Sequence, residues 1–182
     1  TIGISSGKYY FEATRTTTSG IGNNVAFGVT DIESSFGTGQ YGGNPTSSGG
    51  ASQEWVLTDR STAVNGSTYT NLNSTLGNVT EGDVVQVAVD MTAGKIWFGK
   101  NGTFSGTPAS GSSAAFSNLS GTIVPLFYVY NGGWAFNAGQ RSFAYSAPSG
   151  FKALCTQNLP DPLIADPSTA FDVALWTGNG SS

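Results

Sequence analysis

The side chains that could do chemistry in this chain are few and badly placed for it. Eleven carboxylates and seven basic residues are spread over 182 positions, and there is no histidine. That removes a Ser-His-Asp or Cys-His nucleophile system and any imidazole metal site from the chain itself. Asp31 and Glu33 are the closest approach to a carboxylate pair of the kind that cleaves a glycosidic bond, which needs one carboxyl on each side of the scissile oxygen. Asp59, Asp83 and Asp90 offer no better pairing. Asp31 and Glu33 instead read as a solvated turn, and Asp83 and Asp90 as strand-end carboxylates that accept turn amides. Asp31-Ile32-Glu33-Ser34-Ser35 is too sparse in oxygen ligands for a Ca²⁺ loop. Cys155 is the single cysteine; it reads as a small apolar filler, since only Lys152 nearby could sharpen it. No catalytic residue, metal site or cofactor is expected. The Asn-x-Ser/Thr triplets at Asn65, Asn73, Asn78, Asn101, Asn118 and Asn179 are assigned no glycosylation, because a chain so rich in Asn, Ser and Thr generates such triplets by composition.

The elements that hold these residues follow from composition. Gly, Ser, Thr and Asn together make up close to half of the chain, while charged residues are 10%. A scarcity of Lys and Glu argues against surface helices, and abundant Thr, Val, Phe and Tyr favour strands. A net charge of −4 gives no electrostatic footprint for nucleic acid or an anionic membrane. No apolar run approaches the ~18 residues of a membrane span, so neither nucleic-acid binding nor membrane insertion is expected.

Strands are expected at 8–15, with rings on both faces, at 25–30, at 54–58, and briefly at 67–69. The stretch 16–24 reads as a polar turn, and 31–52 as a long Gly/Ser-rich loop. The clearest segment is 84–90, where Val85, Val87 and Val89 alternate onto one face. It returns through Met91–Gly94 into 95–100 and ends at Asn101-Gly102, a tight-turn signal. Residues 123–130 and 134–137 read as a hairpin around Asn131-Gly132-Gly133. Short strands separated by turns, with no sustained helical period, predict an all-β, antiparallel β-sandwich.

After Gln140 the texture changes. Pro148, Pro160, Pro162 and Pro167 predict an extended, Pro-containing C-terminal connector. A boundary near Leu159 divides the chain into a sandwich domain with its extension, 1–159, and a linker leading to a possible further β module, 160–182, whose first strand would be 171–176. Beginning at Thr1 and stopping in a Gly/Ser-rich run, the chain reads as a piece of something longer.

Taken in order, Ser6-Gly7-Lys8-Tyr9-Tyr10-Phe11-Glu12, Ala26-Phe27-Gly28-Val29, the run from Gly82-Asp83-Val84-Val85 through Asp90, Gly94 and Phe98 to Lys100-Asn101-Gly102, then Val124-Pro125-Leu126-Phe127 and Phe136-Asn137-Ala138-Gly139-Gln140, resemble a SPRY domain. The resemblance spans about 5–140, and departs at Ala138, where Phe is commoner. It implies a concanavalin-like sandwich without catalytic chemistry that holds a partner in its loops. The run from Asn137 to Pro160, with Phe143, Tyr145, Phe151 and Cys155, is similar to SPRY modules of bacteriophage and prophage structural proteins. That similarity implies a virion protein (tail fibre, tail spike or another surface component) assembled in the bacterial cytoplasm and present in multiple copies. Its expected partners are a host-surface glycan or protein and neighbouring virion subunits.

Rings flanked by Asn, Ser and Gly are the chemistry that grips sugars and epitopes, and they single out Asn23, Asn24, Tyr41, Tyr130, Asn131 and Trp134. Two other roles remain open: a decoration or cementing protein that touches only neighbouring subunits, and an accessory binding domain of a depolymerase.

Overall fold

Period-two patterning decides which face of a strand meets the core, and the computed structural model, which describes residues 2–18, 25–34, 53–129 and 132–159, is built from eleven strands that obey it. They are β1 (Lys8–Thr18), β2 (Val25–Asp31), β3 (Glu54–Thr58), β4 (Thr62–Asn65), β5 (Thr68–Asn71), β6 (Val84–Asp90), β7 (Lys95–Lys100), β8 (Thr103–Phe104), β9 (Ile123–Val129), β10 (Gly132–Asn137) and β11 (Lys152–Ala153). One turn of helix, α1 (Asn73–Leu76), lies between β5 and β6. The first sheet runs β5-β4-β3-β2-β9; the second runs β10-β1-β6-β7-β8, with β11 beside the start of β1. All pairings are antiparallel except the two-residue match of β11 with β1. The molecule is an all-β sandwich.

Alternate residues of both sheets meet in one core. Phe11 and Ala13 of β1, Val85, Val87 and Val89 of β6, and Ile96 and Phe98 of β7 face Phe27, Val29, Trp55, Leu57 and Ile123 of the first sheet. Each large apolar side chain buried in this way stabilises the fold by about 1.5–3 kcal/mol. Trp55 keeps its indole donor satisfied by giving it to Asn118 Oδ1 at 2.9 Å. Gly28 lets β2 and β3 close up: a Cβ there would sit 2.0 Å from the Trp55 carbonyl oxygen. Asn101 and Gly102 both take positive φ (50° and 88°), the two-residue turn that their types predict between β7 and β8.

Three expectations about elements need correction. Residues 123–130 and 134–137 do not form a hairpin. β9 pairs with β2 and β10 with β1, so the chain crosses from one sheet to the other between them. The reason is that rings on both strands point into the space between the sheets. Phe127 stacks on its cross-strand neighbour Phe27 at 5.0 Å and meets Phe136 of the facing sheet edge-on at 5.2 Å. Secondly, β1 continues through Thr16–Thr18 instead of turning, past a register shift between Arg15 and Thr17, because Gly132 and Gly133 of β10 supply its pairing there. Thirdly, β4 is a strand that the sequence reading passes over.

The chain beyond β10 is a strap over the outer face of the second sheet. Phe143, Ala147 and Phe151 pack on Tyr10, Ala88 and Trp97. Beneath it lies a buried polar chain. The Gln86 side-chain amide donates to the Tyr10 hydroxyl (3.1 Å), which donates to Glu12 (3.0 Å), and Glu12 also accepts the Ala144 N–H at 2.6 Å. Burial pushes the Tyr10 hydroxyl well above its ordinary pKa, so it stays a donor. Leu159, the expected boundary, is the last described residue; the linker 160–182, the strand at 171–176 and most of the 31–52 loop lie outside the described residues. Among those described, no helix is long and apolar enough to cross a membrane.

Candidate functional site

Register fixes which loops share an end of the sandwich. In the first sheet Val25 pairs with Val129, Ala26 with Thr58, and Thr62 with Asn71. In the second, Thr18 pairs with Gly132, Thr14 with Val84, and Val85 with Lys100. The β3–β4 turn, the β7–β8 turn and the segment 72–83 therefore all lie at one end. Segment 72–83 bridges the sheets there: Val79 N–H donates to the Asp59 carbonyl at 2.8 Å, and Gly82 N–H to the Arg15 carbonyl at 2.8 Å.

Two polar clusters hold this end rigid. Arg15 is fully buried; its guanidinium donates to the Val79 carbonyl and lies 3.9 Å from the equally buried Asp59 carboxylate. Burial of that kind is tolerable only with charge and hydrogen-bond partners in place. Asp83 accepts the Thr80 N–H (2.7 Å) and hydroxyl (3.0 Å) and the Asn101 amide (2.6 Å), with Lys100 Nζ at 3.5 Å. Burial alone would raise its pKa; these four partners outweigh that and hold it below the ordinary value. Asn101 returns the favour by accepting the Val84 N–H at 2.8 Å.

Between the β3–β4 turn and segment 72–83 opens a polar cleft of about 490 Å³, lined by Arg60, Thr62, Asn71, Asn73 and Asn78. The β3–β4 turn is held in place by Thr58 Oγ1, which accepts the Arg60 and Thr62 N–H groups, both at 3.3 Å, and by Ser61, whose hydroxyl donates to the Gly77 carbonyl. The cleft offers amides, a hydroxyl and one guanidinium. That set can bind and orient a polar ligand, but it holds no carboxylate that could act as acid or base on one.

Of the six residues singled out by type, the one that is described, Trp134, does not line this cleft. Asn23, Asn24, Tyr41, Tyr130 and Asn131 lie outside the described residues. The strand ends flanking four of them, Val25, Val129 and Gly132, are at the same end as the cleft. Those flanking the loop that carries Tyr41, Asp31 and Glu54, are at the opposite end, beside Ile123 and Thr30. Trp134 is described: it sits half-buried in β10, its ring 5.7 Å from Phe27, and its indole N–H is buried without a partner among the described residues. The cleft residues escape sequence reading because Arg60 and Asn78 are distant in the chain and come together through the pairing of β4 with β5 and through Asn73, whose amide bridges the Arg60 carbonyl and Asn78 Oδ1.

Asp31 and Asp90 are used by the frame. Asp31 accepts the Glu33 N–H at 2.8 Å; Asp90 accepts the Ala93 N–H at 3.0 Å and pairs with Lys8 at 3.2 Å. Glu54 is buried, which raises its pKa. Among the described residues no three Cys, Asp or Glu side chains converge on a point that could hold a metal. Cys155 is partly exposed, with the Asn158 amide 3.3 Å from its sulfur.

Comparison with known proteins agrees with this architecture. No curated protein matches the chain. The SPRY domain of human HERC1 has a similar fold, with a TM-score of 0.52 and 21% identity over 75% of each chain. The family model of the SPRY domain matches residues 8–141, from the first strand to just past the last strand of the frame. On that match, covering most of the chain, this protein belongs to the SPRY domain family.

Proposed function

We propose that this protein is a non-enzymatic recognition module of a bacteriophage virion, part of a tail fibre, tail spike or other surface component, that attaches to a host-surface glycan or protein. The observation that carries this reading is the polar end of the sandwich. Its turns are locked by Arg15–Asp59 and Asp83, while the cleft above them presents the Arg60 guanidinium and the amide groups that its internal hydrogen bonds do not use. A rigid frame with open polar groups binds at low entropic cost. Repetition on a particle multiplies weak single contacts. The similarity of the run from Asn137 to Pro160 to phage structural modules supplies the virion setting. The test is adsorption of the fluorescently labelled protein to a panel of Gram-negative and Gram-positive bacteria. Saturable adsorption to some strains, with no shortening of their extracted surface polysaccharide, is expected. Shortening assigns the protein to the depolymerases, and adsorption to no strain refutes attachment.

A second partner, a neighbouring virion subunit, is favoured by a different surface. Phe127 and Val129 on edge strand β9 remain 37% and 47% exposed. Apolar side chains left partly exposed on a strand whose outer edge, among the described residues, is bridged only at Ile123 are suited to contact with another chain.

A further inference from the structure

Among the described residues, Arg60 is the one cation at the polar end that the frame does not use. The ion pairs among the described residues are Lys8–Asp90, Arg15–Asp59 and Lys100–Asp83. Asp59, next to Arg60 in the chain, is thus engaged by Arg15, and Asp83 by Lys100. The third acid of this end, Glu81, does not line the cleft. Arg60 is exposed, but its backbone is fixed: its N–H donates to Thr58 Oγ1 at 3.3 Å and its carbonyl accepts the Asn73 amide at 3.1 Å. A guanidinium on a fixed turn presents a planar fork of donors, the geometry that takes a carboxylate in two parallel hydrogen bonds.

The groups around it are of both kinds. Asn71 Oδ1 accepts the Asn73 N–H (2.9 Å), and the Asn73 amide donates to Asn78 Oδ1 (2.7 Å). Among the described residues Asn71 Nδ2, Asn73 Oδ1, Asn78 Nδ2 and the Thr62 hydroxyl have no hydrogen-bond partner, and all four residues line the cleft. Donors and acceptors in alternation match hydroxyls, each of which gives one hydrogen bond and receives others. Tyr69, 48% exposed, stands two residues from Asn71 on β5 and therefore on the same face, about 7 Å away, as a flat surface for a pyranose ring. A single cation in a chain of net charge −4 suits one carboxylate and is poorly matched to a polyphosphate.

The geometry points to a subsite for a carboxylate-bearing sugar, a uronic or sialic type of residue, held by Arg60 through its carboxylate and by Asn71, Asn73, Asn78 and Thr62 through its hydroxyls. This assignment rests on the attachment reading above and names the ligand class for it. The experiment is an NMR titration of the ¹⁵N-labelled protein with trigalacturonic acid and with sialyllactose, each alongside its methyl ester. At least one acid is expected to shift the side-chain amides of Asn71, Asn73 and Asn78 and the Arg60 Nε–H saturably. Its ester is expected to bind at least tenfold more weakly. Arg60→Ala should lose at least tenfold and Arg60→Lys less, since the charge remains without the fork; Arg60 has no side-chain partner in the frame, so both variants should keep the wild-type spectrum elsewhere. Equal binding of acid and ester, equal binding by Arg60→Ala, shifts mapping elsewhere, or no shift with either acid would each overturn the subsite. Adsorption to bacteria separates the two readings. Wild type and Arg60→Ala adsorbing alike removes the acidic-sugar subsite and leaves attachment standing, whereas no adsorption by wild type removes both.

Discussion

Asp83 shows how much of a strand end a single carboxylate can organise. It gathers Thr80, Asn101 and Lys100 at the entry to β6, and its role as an acceptor of turn amides is legible from its place before a run of alternating valines. Because its native pKa is depressed, its stabilisation is complete above the unfolded-state value of about 3.9 and fades as pH falls through the native value. Asp83→Ala is therefore expected to cost about 1–3 kcal/mol near pH 7 and progressively less below pH ~4, as read from urea unfolding across that range. Arg15 is a harsher case. Replacing it with Met keeps the volume but strands the buried Asp59 carboxylate, so a loss of about 3–5 kcal/mol is expected in the same assay. Its burial could not be foreseen, because nothing in Thr14-Arg15-Thr16 distinguishes an arginine under a bridging loop from one in water. The same limit hid the cleft: amide and guanidinium side chains declare hydrogen-bonding capacity in a sequence, never convergence.

At the scale of elements, legibility followed locality. β6 and β7 were readable because Val85, Val87 and Val89 alternate without interruption and Asn101-Gly102 demands positive φ. The Asn131-Gly132-Gly133 signal is equally compatible with a hairpin and with a crossing between sheets. Only the distant partners of β9 and β10, on β2 and β1, decide between them. β4 is four residues long, and its apolar residues reveal a strand only beside Val56 and Tyr69. The strap from 138 to 159 reaches past the family match and yet completes the second sheet's outer face. Ending the chain at Gln140 exposes Tyr10, Trp97 and the Glu12 carboxylate and removes Phe143, Phe151 and Leu154 from burial. At about 1.5–3 kcal/mol for each, the loss rivals the stability of an ordinary domain. The truncated chain is expected to bind a hydrophobic dye and show no cooperative melt, whereas a chain ending at Leu159 should melt as the full one does. A cooperative melt for both would show the strap to be dispensable.

At the scale of the whole, the described residues form two sheets face to face, with one outer face strapped and a polar cleft at one end. Composition was enough to read the sandwich, since little but strands can be built from so much Thr, Val and aromatic residue with so few charges. It was not enough to read which loops share an end, because loop residues of the same types occur at both ends and register alone sorts them. In the proposed function, this frame grips a ligand at the end formed by 59–62 and 71–83 and leaves it chemically unchanged. Hydrogen–deuterium exchange of the 182-residue protein, with and without polysaccharide from a strain to which it adsorbs, measures this directly. Protection concentrated in 59–62 and 71–83, with polysaccharide of unaltered length recovered afterwards, is the predicted result. Protection confined to the strapped face or to the opposite end, or recovery of shortened chains, would contradict it.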